Sequence, residues 1–176
     1  KRLDYRSHST NTCGLHVHIS RMAFGCTYET QEECIARLVF FVEKFWPELL
    51  RFSRRTQGQL NRWAARYGMK LNPKDQMYHA KNSCAGRYTA VNLTNADTVE
   101  IRLFRGTLKL NTLVATLQLV DHLCEVAVSM SDQKLQDMSW FDFLDQITEP
   151  ELIQYLKERR LYVNEPVNNY DATEVC

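Results

Sequence analysis

Residues 11–20 read Asn-Thr-Cys-Gly-Leu-His-Val-His-Ile-Ser, and from Gly14 onward they alternate so strictly that only a strand with two unlike faces accommodates them. Side chains two apart on a strand share a face. Gly14, His16, His18 and Ser20 therefore point one way, and Leu15, Val17 and Ile19 point the other. The apolar face has to cover a core. The polar face then presents two imidazoles, about 7 Å apart by strand rise, to a cleft or to solvent. Imidazole is the commonest metal ligand and the side chain that titrates near neutral pH.

Residues 98–104 repeat the design. Val99, Ile101 and Leu103 form an apolar face, and Thr98, Glu100, Arg102 and Phe104 form the other. If both strands share one sheet, His16, His18, Glu100 and Arg102 share its polar surface. Histidine with glutamate suits a divalent cation. A neighbouring arginine suits phosphate or carboxylate, which it grips with two parallel hydrogen bonds. Metal and arginine together are the equipment of phosphoryl transfer. Two plainer readings stay open. An H-x-H can be a ligand-free edge pair, and Glu100 with Arg102 can be a surface charge pair worth only a few tenths of a kcal/mol.

The remaining chain supplies helices for the apolar faces. Thr30 and Glu33 form a capping box ahead of Ile35, Leu38, Val39, Val42, Phe45, Trp46 and Leu49 at helical spacing, with Pro47 breaking the run. A second helix is predicted over 57–67, ending at Gly68, and a loop over 71–86 with Asn72-Pro73 as a turn. Residues 87–94 and 98–105 read as a hairpin. Asn111 is expected to cap a long helix on which His122 lies at the surface. Short helices follow over 140–147 and, behind a Thr148 cap with Glu151, over 150–159, before a polar tail from residue 163. The fold expected is α+β: a curved antiparallel sheet with helices packed on one face.

A chain of 176 residues allows one domain, or one domain with an appendage. A net charge of +1 argues against a general nucleic-acid or membrane coat. No apolar run stands out as a membrane span, and the first residues do not form a signal peptide. The six cysteines contain no C-x-x-C pair, so they read as reduced thiols in a cytoplasmic protein.

Three segments, in order, carry a family resemblance: Cys-Gly-Leu-His-Val-His-Ile-Ser at 13–20, Arg-Tyr-Thr-Ala-Val-Asn-Leu-Thr at 87–94 and Thr-Val-Glu-Ile-Arg-Leu-Phe-Arg-Gly-Thr-Leu at 98–108. Together they resemble the amidoligase family, carboxylate–amine ligases related to glutamine synthetase and glutamate–cysteine ligase. The likeness spans about residues 11–130, so residues 1–130 are expected to be the C-terminal portion of a glutamine-synthetase-like catalytic domain. Residues 131–176 would be a helical extension and tail. The resemblance implies ATP and Mg²⁺ (or Mn²⁺) as cofactors and amide formation through an acyl phosphate. The substrates would be a small-molecule or peptide carboxylate and an amine. It implies His16 and Glu100 as metal ligands, with His18 and Ser20 toward the nucleotide. Arg102 and Arg87 would lie on the transferred phosphate or substrate carboxylate, and Arg54 or Arg55 would be a further nucleotide contact. The family uses additional glutamates on strands before its H-x-H strand. This sequence opens at Lys1 without them, so it is expected to be a fragment completed by upstream strands of the same protein or by a second subunit.

Two other functions compete. One is a non-catalytic interaction module of the same fold. The other, weaker given the charge balance, is nucleic-acid binding through Arg51, Arg54, Arg55, Arg62 and Arg66.

Overall fold

The computed structural model describes residues 13–162. Asn11 and Thr12 of the expected first strand, and the polar tail from residue 163, lie outside the described residues. The observed class is α+β: among the described residues, eight α-helices and one 3-10 helix accompany a three-stranded antiparallel sheet. The strands are β1 (Gly14–Ser20), β2 (Val91–Asn92) and β3 (Thr98–Arg105), with β3 in the middle.

Register settles which side chains share a face. His18 lies opposite Glu100 and Ser20 opposite Thr98, while Val17 faces Ile101 and Ile19 faces Val99. Asn92 of β2 lies against Glu100 from the other side. A bulge in β3 interrupts the pairing between Leu15 and Val17, where one extra β3 residue is accommodated. It corrects the expected alternation at one position. Phe104 does not stay with Glu100 and Arg102 but pairs with Leu15 and is buried, its ring edge-on to Phe52 at 6.0 Å.

The helices are α1 (Tyr28–Lys44), α2 (Trp46–Ser53), α3 (Gln57–Trp63), α4 (Pro73–Lys81), α5 (Leu110–Ser129), α6 (Asp132–Asp137), α7 (Trp140–Leu144) and α8 (Pro150–Glu158). Buried residues run almost all round α1, which packs against α4 and α5, while α5 packs against α8 and α2 against β3. Pro47 does divide the first apolar run, opening α2 just after α1 ends. α1 starts earlier than the Thr30 cap predicts, because the Thr27 hydroxyl accepts the Thr30 N–H in its own capping box.

Other expectations needed correction. Asn72-Pro73 does not mark a loop. The Asn72 side chain accepts the Asp75 N–H, Pro73 occupies the first turn, and both residues start α4. α3 stops at Trp63, because Ala65 leaves to form a parallel bridge with Thr89. The same bridge shortens the strand expected over 87–94 to Val91–Asn92. Asn111 lies inside α5, whose cap is Lys109, and Glu149 rather than Thr148 caps α8. His122 is buried, with its ring nitrogens 2.7 Å from Glu149 and 3.1 Å from Glu125.

Residues 132–161 share the core of the first part. Leu135, Phe143, Leu152 and Leu156 join it, and the Tyr155 hydroxyl donates to the Phe52 carbonyl oxygen at 3.1 Å. By length and composition α5 could cross a membrane, with a mean hydropathy of 1.2, yet half of that stretch is buried inside the protein.

Candidate functional site

The site is assembled from α1 outward. Glu43, buried near the end of α1, accepts the Tyr67 N–H at 2.6 Å, the Gly68 N–H at 3.1 Å and the Arg66 Nε–H at 2.9 Å. That fixes the segment after α3. Ala65 then exchanges main-chain hydrogen bonds with Tyr88 and Ala90, each 2.8 Å. The Tyr67 hydroxyl donates to the Val91 carbonyl oxygen at 3.0 Å, and the Ala90 carbonyl oxygen accepts the Arg102 N–H at 2.9 Å. These links hold β2 on the edge of β3 and place Asn92 beside Glu100.

Glu100 is the centre. Its Oε1 accepts from Arg102 Nη1 at 2.7 Å and lies 2.9 Å from His16 Nδ1 and 3.7 Å from His18 Nε2. Its Oε2 accepts from Asn92 Nδ2 at 2.8 Å. Burial raises the Glu100 carboxyl, but the Asn92 amide, the Arg102 charge and the two histidines outweigh it and leave it below its usual value. His16 is also lowered, first by burial and then by the Arg102 charge, so its imidazole is neutral at pH 7. The short contact to Glu100 fits a proton on Nδ1, and that tautomer leaves the Nε2 lone pair available.

Of the residues predicted from sequence, His16, His18, Glu100 and Arg102 come together on one sheet face. His18 is more exposed, and its Nδ1 lies 3.2 Å from the Thr98 hydroxyl. Ser20 shares that face but caps the 3-10 helix (Arg21–Phe24), its hydroxyl accepting the Met22 N–H. Arg87 is exposed. It donates to the Tyr88 hydroxyl at 3.0 Å, and this bond, with the Arg87 charge, pulls the phenol below its usual value. Arg102 lies over the same ring at 5.6 Å, so Tyr88 joins the two arginines.

Arg54 and Arg55 separate. Arg54 adopts a left-handed backbone at φ 60° and lines a different cleft, beyond the end of α2. Arg55 reaches the sheet, donating to the carbonyl oxygens of Arg102 at 3.2 Å and Cys13 at 3.4 Å. Gly14 makes room for it, since a Cβ there would sit 2.7 Å from Arg55 Nη2 and 2.9 Å from His16 Nε2. The basic run is thus dispersed, with Arg66 on Glu43 and Arg62 over Trp63.

Sequence reasoning missed Asn92 and Tyr88 as site residues. Asn92 carried a signal, a polar position alternating between Val91 and Leu93. Tyr88 carried none, because its place depends on the bridge to Ala65.

Chemically, the face offers a neutral imidazole, a carboxylate and guanidinium groups suited to an oxyanion. It does not by itself close a metal site. Among the described residues no group of three or more His, Cys, Asp or Glu side chains is arranged to hold a metal ion, and Glu100 is already bonded to Arg102 and Asn92. Comparisons with protein-family models, with curated proteins and with solved structures find no match to this chain.

Proposed function

We propose that this chain forms part of an ATP-dependent carboxylate–amine ligase of the glutamine-synthetase-like kind. The observation that supports this reading best is the convergence of His16, His18, Glu100 and Arg102 on one polar sheet face. In the reaction a substrate carboxylate oxygen attacks the γ-phosphorus of ATP and ADP leaves. An amine nitrogen then displaces phosphate from the acyl phosphate. Both steps develop negative charge on oxygens, which fixed guanidinium groups stabilise. In this reading Arg102 takes that role, with Arg55 bonded to its carbonyl oxygen and Arg87 linked to it through the Tyr88 ring. No protein nucleophile is required.

Mg²⁺ or Mn²⁺ would screen the phosphates. His16 and Glu100 supply too few ligands for the roughly six oxygens Mg²⁺ prefers. In this reading the rest come from outside the described residues or from a second chain.

The 2.7 Å bond from Arg102 to Glu100 favours a second reading, in which the cluster is a closed ion pair of a non-catalytic module. Calorimetric titration of Mn²⁺–ATP and Mg²⁺–ATP into the natural full-length protein and its Glu100→Ala variant decides between them. The ligase reading expects binding that the variant loses. Absence of binding to the unaltered protein would leave the module.

A further inference from the structure

A cavity of about 810 Å³ lies away from the Glu100 cluster, where the end of α2 meets the first turns of α5 and α8. Its size suits a small molecule. Arg54, Arg105, Lys109 and Arg159 line it. Two carboxylates share the lining, and each already accepts from an amide: Glu151 from Gln118 at 3.0 Å and Glu158 from Gln154 at 3.1 Å. The cleft therefore concentrates positive charge in a chain whose net charge is only +1.

The fold holds these cations together. The left-handed turn at Arg54 sends its side chain here while Arg55 goes to the sheet. Arg159 is tied through Nε to the Arg51 carbonyl oxygen at 3.2 Å. Burial and the Arg54 and Arg51 charges push its guanidinium down, outweighing Tyr155 and Glu158. Like charges held this close repel, and a bound anion removes the repulsion. The 20-residue helix α5 adds a positive dipole end. Its cap, Lys109, makes no side-chain hydrogen bond to it, and its first residues line the cleft. Four cations lining one cleft, three of them arginines that can fork onto phosphate oxygens, suit several linked phosphate groups better than one small anion.

We propose that this cleft is a second anion site, which binds an oligophosphate, either free or as part of a nucleotide. It is independent of the ligase reading. The test is calorimetry of pyrophosphate and of ADP, each without metal, on the full chain, on Arg54→Gln/Lys109→Gln, on Arg159→Gln and on Lys74→Gln, an exposed cation of α4 outside the cleft. Lys109 is exposed, and its replacement leaves the core untouched. The expected result is a Kd below about 1 mM, weakened about tenfold for each cleft cation removed and unchanged in Lys74→Gln. Equal affinity for the two probes would assign recognition to the phosphates alone, and tighter ADP would add a nucleoside contact. No binding to the unaltered chain, or binding kept at full strength in the cleft variants, would overturn the second site.

Discussion

Among the described residues two carboxylates are buried, Glu43 in α1 and Glu100 in β3, and each is paired with an arginine. Their other partners differ in kind. Glu43 accepts two main-chain N–H groups, from Tyr67 and Gly68, and its side chain is 1% exposed. Glu100 is held only by side chains, two of them histidines that are 33% and 52% exposed. A main-chain donor cannot leave without the chain unfolding around it. A side-chain donor on an open sheet face can turn to a ligand or to water. Two buried carboxylates are thus a structural fastening in one place and a rearrangeable polar centre in the other.

Replacing each by alanine tests that division. Glu43→Ala leaves the half-buried Tyr67 and Gly68 N–H groups without their acceptor and a cavity at the end of α1, while the exposed Arg66 turns to water, and is expected to cost about 3–5 kcal/mol of stability. Glu100→Ala leaves two histidines that can rotate toward solvent but strands the buried Asn92 amide and the largely covered Arg102 guanidinium, and about 2–3 kcal/mol is expected. Urea unfolding of both variants measures the gap. Equal losses would break the comparison and make the Glu100 cluster as structural as the Glu43 one.

The sequence exposed these two sites unequally. The polar face of β1 and β3 could be read directly, because strand alternation is local and each strand carries it whole. Only the β3 bulge escaped, and with it the burial of Phe104. The Glu43 fastening could not be read, since its donors lie 23 to 25 residues away and two of them are main-chain groups that no side chain announces. The Ala65–Thr89 bridge was hidden for the same reason, and so was the shortened β2. Asn72-Pro73 failed differently: an asparagine cap followed by proline at a first helical turn has the same composition as a turn. Arg54 and Arg55 are neighbours in sequence, and only the backbone at φ 60° tells them apart.

Acid sharpens the comparison on the Glu100 side. The His16 imidazole is lowered from 6.5, mainly by burial and the Arg102 charge. As pH falls through 6.5 the unfolded chain takes up a proton that the folded chain refuses, so stability declines until the folded pKa is reached. Glu100 acts lower in the range. Its folded carboxyl lies below 4.5, so its contribution is present above 4.5 and is lost as pH falls through the folded value. His16→Gln keeps a polar partner for Glu100 and removes the titration. Its stability, measured in chelator against pH, is expected to stay flatter just below 6.5 than that of the unaltered chain. Identical slopes would mean that His16 titrates as a free imidazole and that the face is more open than its geometry indicates.

The smallest change distinguishes arrangement from stability. Gly14 takes part in neither ion pair, yet a Cβ there would meet Arg55 Nη2 at 2.7 Å and His16 Nε2 at 2.9 Å. Both are the ends of flexible side chains, so Gly14→Ala is expected to cost below about 1 kcal/mol of stability. The displaced Arg55 would give up its bonds to the Arg102 and Cys13 carbonyl oxygens, and His16 would turn away from Glu100. If the polar face is an anion site whose geometry matters, its affinity for Mn²⁺–ATP falls while the unfolding midpoint hardly moves. A variant that binds normally would show that Arg55 and His16 need not hold these positions. A variant that unfolds would show that the Glu100 cluster fastens the sheet as firmly as Glu43 fastens the segment after α3.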